Sequence, residues 1–394
     1  MRTTLLRRLC ACLGLAILAC VLPASAEANP LATPEQILRY LVAHRDDISL
    51  VSYTVTPAGM PDPADPVIRV NAFRPMPLAS TIKIIVLAAY AREVAAGRLD
   101  PQEPVSLEDW DSFYLPFVDG GAHADSLAEL GFATDDLGFA VDPAATVPFD
   151  RIVAMMIKHS DNAAVDLLLA RMGEDAARET ITAAGLPVQD EPLPLTGLFL
   201  LAANHEDGPL TQARFRRLQR LTPEQRKARI LELEALYLDP AWKLAELTWW
   251  LEEAPQPSYG LVARTADLLF PKGSANSYAR IMAGVAAGTF LSPQISAIMR
   301  PHLEWPMDDP QLRELFSSFG TKGGDLNGVV TGASWYVPRF GDFDGKPRVT
   351  VLFFRNLPLW AYNALLESFA QQSFEILLGV DRSFAERVQA ALAR

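Results

Sequence analysis

The spacing of apolar residues switches between helical and extended periods, and the order of those switches predicts the architecture. Ile37, Leu38 and Leu41 share one face of a helix over Pro34 to His44, with Thr33 as N-cap. Ser49 to Val55 and Val67 to Asn71 read as strands joined by a Pro/Asp-rich turn. Ile82 to Ala96 is apolar nearly all round and ends at Gly97, the pattern of a helix buried in mid-domain. Between Trp110 and Asp142 periodicity gives way to Gly, Asp and aromatic residues, which reads as an elaborate loop. Helices follow over Phe149 to Lys158, Ala163 to Met172 and Asn276 to Gly288. From Ser317 the pattern becomes extended, with strands over Val329 to Val337 and Arg348 to Phe354 joined by a turn containing Asp344-Gly345. Leu359 to Leu378 closes the chain as an amphipathic helix.

Two early and three late strands imply one antiparallel sheet built from both chain ends, with an all-helical section inserted between them. The fold class is α/β in the α+β sense. The sheet part covers about residues 30–75 and 290–394, and the helical part about 76–289. A helical insert at about 204–258 holds the strongly charged stretch 211–254, whose Trp242, Trp249, Trp250 and Leu251 form an apolar face. It reads either as a helical pair packed on the domain or as a lid over a site. Half of the 394 residues are apolar, enough for one large domain or two intimate subdomains.

Residues 1–26 read as a cleaved signal peptide: Arg2, Arg7 and Arg8, an apolar run from Leu9 to Val21, and Ala24-Ser25-Ala26 as cleavage site. The mature chain, 27–394, is expected to be exported, periplasmic or secreted. Ile17-Leu18-Ala19-Cys20 also fits a lipoprotein signal with Cys20 lipidated. All three cysteines (Cys10, Cys12, Cys20) lie in this segment, so the mature chain would form no disulfide. No later apolar run is long enough to span a bilayer. The net charge of −12 argues against nucleic acid, which calls for a basic stripe. The five histidines lack metal-ligand spacing, so neither a metal nor a cofactor is expected. His123 reads as a structural loop histidine, and His159 as a helix-end residue capping carbonyls. Nothing in the sequence fixes an oligomeric state.

Three fragments carry chemistry. In Ser80-Thr81-Ile82-Lys83 the serine and lysine are three apart and share one face of a helix. The amine can then take the proton of a hydroxyl that is otherwise a weak nucleophile. Ser160-Asp161-Asn162 forms the corner between two helical patterns, and Lys322-Gly323-Gly324 lies where a strand pattern begins. Gly-x-Ser-x-Gly is absent, which argues against a nucleophile elbow. With their flanks, Pro77 to Lys83, His159 to Ala164 and Gly320 to Gly324 resemble the class A β-lactamase-like serine hydrolases of the penicillin-recognising fold. The resemblance spans about residues 34–380 apart from the inserted helices. It implies a five-stranded antiparallel sheet plus an α-helical subdomain, with the site in the crevice between them.

By that resemblance Ser80 is the acylated nucleophile, Lys83 its general base, and Ser160 the proton relay to the leaving group. Asn162 holds Lys83 and the substrate, Lys322 supports Ser160, and Gly324 and Asp325 line the substrate site. The backbone N–H groups of Ser80 and Asp325 form the oxyanion hole. The implied partner is a small acyl substrate, a β-lactam or an ester, or a cell-wall peptide; the implied roles are β-lactam catabolism and antibiotic response. Two positions depart from the family. The Glu-x-x-Leu-Asn segment whose glutamate clears the acyl-enzyme is replaced by Pro194-Leu195-Thr196-Gly197-Leu198, with Asp190 and Glu191 read as solvated loop acids. Gly323 replaces the usual hydroxyl residue, and Asp325 adds a negative charge that would repel a carboxylate if it shared the substrate's face. With the run Gly120-Gly121-Ala122-His123, these features are similar to the β-lactamase-fold esterase-like proteins of the clavulanic acid pathway. The expected activity is hydrolysis of a β-lactam amide through acyl-Ser80. Ester hydrolysis, D,D-carboxypeptidase action, and a penicillin-binding sensor that acylates without turnover are the alternatives.

Overall fold

The computed structural model describes residues 30–252 and 256–393, so the expected leader and its three cysteines lie outside the described residues. The chain divides into two compact units, residues 30–78 with 273–393, and residues 79–272.

The first unit is built on a five-stranded sheet. Its strands are β1 (Ile48–Thr54), β2 (Ile68–Val70), β3 (Phe316–Leu326), β4 (Val329–Pro338) and β5 (Arg348–Phe354). They pair antiparallel in the order β2-β1-β5-β4-β3, as the two-early, three-late pattern implied. Every residue of β1 and β5 is buried, and their polar side chains are paired there: Ser52 Oγ meets Thr350 Oγ1 at 2.9 Å, and Arg348 Nη1 donates to Thr54 Oγ1 at 2.9 Å. Leu50, Leu352 and Phe354 pack with Ile37, Leu41, Phe374, Leu378, Phe384 and Val388 of three helices. The Ala275–Ala287 helix belongs to this unit, not to the helical one, because it packs on β1, β4 and β5. Tyr53 Oη donates to Ala279 O across that contact at 3.2 Å.

The C-terminal pattern is corrected. The single helix expected over 359–378 is two helices, Leu359–Ser368 and Ala370–Val380, broken at Phe369 with φ 49°. A third, Arg382–Leu392, follows with Asp381 as N-cap. The break follows from local bonding: Ser368 Oγ donates back to Ala364 O and accepts from the Ala370 amide.

In the second unit the Lys83–Ala95 helix is central, and Lys83 to Ala91 are all buried. It contacts the Phe149–Lys158, Asn162–Met172 and Ala176–Ala183 helices. The stretch read as one loop between Trp110 and Asp142 holds the end of a Leu107–Asp111 helix and a whole Ala122–Glu129 helix. The latter is started by polar capping, with Asp119 accepting from the Gly121 and His123 amides. Two turns are too short to show an apolar period. The charged insert forms three helices, Gln212–Arg220, Pro223–Tyr237 and Pro240–Glu252. Ile230, Leu233 and Tyr237 pack against Leu198 and Leu201 of the Leu195–Ala202 helix. Among the described residues no helix is long and apolar enough to cross a membrane.

Candidate active site

Ser80 lies in a 3-10 turn, Ala79–Ile82, that feeds into the Lys83–Ala95 helix; Ala79 takes a positive φ of 45°. The turn is short, so the serine and lysine still meet: Lys83 Nζ is 3.1 Å from Ser80 Oγ. The same nitrogen lies 3.1 Å from Ser160 Oγ, 2.5 Å from Ser160 O and 2.7 Å from Asn162 Oδ1. Lys83 is fully buried, whereas Ser80, Ser160 and Asn162 are partly exposed. Thus four of the expected residues converge within one unit.

The donor count at Lys83 sets its chemistry. Ser160 O and Asn162 Oδ1 can only accept hydrogen bonds, so they claim two N–H groups. The third position faces the two hydroxyls. In a neutral amine that position is a lone pair directed at the two hydroxyls.

Ser160 is held in the left-handed region at φ 70°, although it is not glycine. That conformation is disfavoured for an L-residue and persists only when its surroundings impose it. Asp161 imposes it. It is fully buried, N-caps the Asn162–Met172 helix through Oδ1 to the Ala164 amide at 2.8 Å, and meets His123 Nδ1 through Oδ2 at 2.8 Å. Burial alone would raise its pKa, but the charge and hydrogen bond of His123, the Ala164 amide and Lys83 hold it below the ordinary range.

The Pro194-Leu195-Thr196-Gly197-Leu198 segment, which replaces the Glu-x-x-Leu-Asn pattern, starts the Leu195–Ala202 helix. Two buried carboxyls meet it from elsewhere in the unit. Asp166 accepts from the Leu195 and Thr196 amides at 2.6 and 2.8 Å, and Glu234 from the Gly197 amide at 2.8 Å. Burial raises the pKa of both. Glu191 pairs with Lys227 at 2.7 Å, and Asp190 accepts from the Lys272 amide at 2.8 Å. Sequence reasoning missed Asp166, four residues after Asn162 on one helix face; that spacing was the available signal.

His123 is not the plain loop histidine expected. It sits in the Ala122–Glu129 helix, wholly buried between two carboxylates. His159 bonds Glu129 Oε2 at 2.6 Å through its side chain, not the carbonyls expected of a helix-end cap.

Lys322, Gly324 and Asp325 lie on β3 of the first unit, and Lys322 Nζ donates to Gly323 O at 2.8 Å. The face that Asp325 takes, left open by the sequence, is fixed by its place on the strand. Strand alternation turns its side chain to the face opposite Lys322 and Gly324. There Asp325 Oδ2 accepts from Tyr362 Oη at 2.8 Å, so its charge does not share the face of Lys322. At Gly323 an added Cβ would meet only Thr331 O at 3.6 Å, so space does not demand the glycine. Among the described residues no cluster of His, Cys, Asp or Glu could hold a metal ion.

Residues 60–224 match a family model described as the Beta-lactamase enzyme family, a span that contains Ser80, Lys83, Ser160 and Asn162. No curated protein matched the chain. Among solved structures, a β-lactamase from Sphaerobacter thermophilus is similar at 17% identity, covering 90% of this chain and 96% of that one, with a TM-score of 0.49. A β-lactamase from Chitinophaga pinensis is similar at 13% identity over 91% and 98%, with a TM-score of 0.47. PBP-A is similar at 16% identity over 95% and 99%, with a TM-score of 0.47.

Proposed function

We propose that this chain, which carries a β-lactamase-like serine-hydrolase fold, is a hydrolase that forms an acyl-enzyme on Ser80 and opens β-lactam amides. The observation that carries this reading is the approach of Lys83 Nζ to both Ser80 Oγ and Ser160 Oγ at 3.1 Å. Neutral Lys83 takes the Ser80 proton as Oγ bonds to the acyl carbon. The proton then passes through Ser160 Oγ to the leaving nitrogen as the C–N bond breaks. Water cleaves the acyl ester, releasing the acid and restoring Ser80. The roles of Lys322, Gly324 and Asp325 rest on the resemblance alone.

A second reading concerns the last step. Asp166 gives both of its oxygens to backbone amides of the 194–197 segment, and this favours an acyl-enzyme that clears slowly. Such a protein would act as a penicillin-binding sensor rather than as a fast lactamase. Intact-protein mass spectrometry with a penicillin and, separately, an activated ester tests both. A Ser80 adduct with continuing product release supports hydrolysis, and the faster substrate separates lactamase from esterase. One stable equivalent supports the sensor. A Ser80→Ala variant that still forms the adduct sinks the nucleophile assignment.

A further inference from the structure

Both ring nitrogens of His123 face carboxylates: Nδ1 is 2.8 Å from Asp161 Oδ2, and Nε2 is 2.8 Å from Asp111 Oδ1. Carboxylates only accept, so both nitrogens must donate, and only an imidazolium does that. The remaining oxygens are also engaged. Asp161 Oδ1 accepts from the Ala164 amide, and Asp111 Oδ2 from the Ala140 amide at 2.9 Å. Tyr114 stacks on the imidazole at 4.2 Å between ring centroids, and Trp110 meets it edge-on at 4.8 Å. The chain Asp111–His123–Asp161 therefore has no slack, and it ends on the residue between Ser160 and Asn162.

We propose that His123 is a positioning residue for the acyl-transfer site: bonded to Asp111 and Asp161, it holds the Ser160-Asp161-Asn162 corner in the strained form that aims Ser160 and Asn162 at Lys83. The assignment rests on the functional reading of Ser80 and adds a pH dependence to it. Burial alone would lower the His123 pKa, but Asp161 and Asp111 outweigh it and raise it to about 9. Above that pH one ring nitrogen becomes an acceptor facing an acceptor, and the corner loses a tie. The other titratable groups facing this set are Asp119, which accepts the His123 amide and is raised by burial, and Tyr114, raised by burial and neutral. Lys83 bears on Asp161, and Lys243 of the insert donates to Asp111 O at 2.7 Å. Burial lowers the Lys243 pKa to about 8 despite Asp111 and Glu234.

The test is the rate of Ser80 acylation by a penicillin and an activated ester from pH 6 to 10. It is made on wild type, His123→Gln, Asp111→Asn and Lys243→Met, each checked for a cooperative unfolding transition. His123→Gln should slow acylation about 10- to 100-fold, as expected for loss of fixed geometry. Asp111→Asn keeps an acceptor but removes a charge, so the alkaline limb should move to lower pH; a purely structural tie would leave it in place. Lys243→Met should retain the limb. Equal acylation by His123→Gln overturns the proposal, as does a limb unmoved in Asp111→Asn or lost in Lys243→Met. If His123→Gln does not fold, the Asp111→Asn limb decides. A folded wild type that reacts with neither probe overturns the acyl-enzyme reading and this assignment together, whereas a reactive wild type with unaffected variants overturns this assignment alone.

Discussion

At Ser160 the chain keeps a side chain where glycine would be easier. Its φ of 70° costs a non-glycine residue roughly 1–2 kcal/mol. The hydroxyl is what that cost retains, since Ser160 Oγ lies 3.1 Å from Lys83 Nζ. Ser160→Ala and Ser160→Gly should therefore both lose acylation. The glycine variant should be the more stable of the two by about 1 kcal/mol in urea unfolding, because it alone relieves the strain. Equal stabilities would mean that the corner is not strained. The meeting of Ser80, Lys83, Ser160 and Asn162 was legible through two short motifs that the family resemblance links, although Lys83 and Asn162 are 79 residues apart. The contacts of Asp111, His123 and Asp166 were not, because neither a motif nor a period joins them to partners 12, 38 and 29 residues away. Asp325 shows the limit from the other side. Its number was readable, but its face depended on strand register.

Among the elements, the strands of the central sheet were legible through β-branched and aromatic residues bounded by turn signals, although Ser and Thr interrupt β1 and Arg and Thr interrupt β5. The Ala122–Glu129 helix and the Phe369 break were not, since polar caps and one left-handed residue set them. The Leu195–Ala202 helix was also missed, and its environment explains an odd residue. Gly197 sits inside it with Ile230 O of the Pro223–Tyr237 helix 2.3 Å from where a Cβ would lie. Helix propensity alone favours Gly197→Ala by about 1 kcal/mol. The clash is with backbone, which cannot swing aside, and overpacking of this kind costs roughly 1–3 kcal/mol. The clash should win, so Gly197→Ala should be less stable by about 1–2 kcal/mol in urea unfolding. It should also loosen the Glu234 bond to the Gly197 amide, read as faster amide exchange at residue 197. A variant as stable as wild type would show that the insert does not grip this helix.

For the molecule as a whole, buried acids set how stability depends on pH, and they act with opposite signs. Asp65 is the depressed case. Burial would raise it, but Arg382, Thr54 and Lys346 hold its pKa at about 2. Its contribution, about 2 kcal/mol, is present above pH 4 and is lost as the pH falls through 2. Glu375 is the raised case. Its Oε1 lies 2.6 Å from where a Cβ on Gly332 would stand, in space that only glycine leaves open. Burial lifts its pKa to about 7 against the bonds from Gln371 and Ser334. From an ordinary value of 4.5 up to 7 the folded state holds a proton that the unfolded state has lost, so stability falls as pH rises through that window. The loss is about 3 kcal/mol and stays constant above it. Asp166 and Glu234, also raised, add to the same limb. His123 extends it, since its contribution is complete below 6.5 and disappears as the pH rises through about 9. Unfolding free energy in urea should thus decline steadily from about pH 4.5 to 9. Glu375→Gln keeps the shape and removes the titration, so it should flatten the part below pH 7 by about 3 kcal/mol and leave the part above it unchanged. A wild-type profile that is level from pH 5 to 7 would mean that Glu375 is ionised in the folded protein, and that its neighbours stabilise the charge more than burial opposes it.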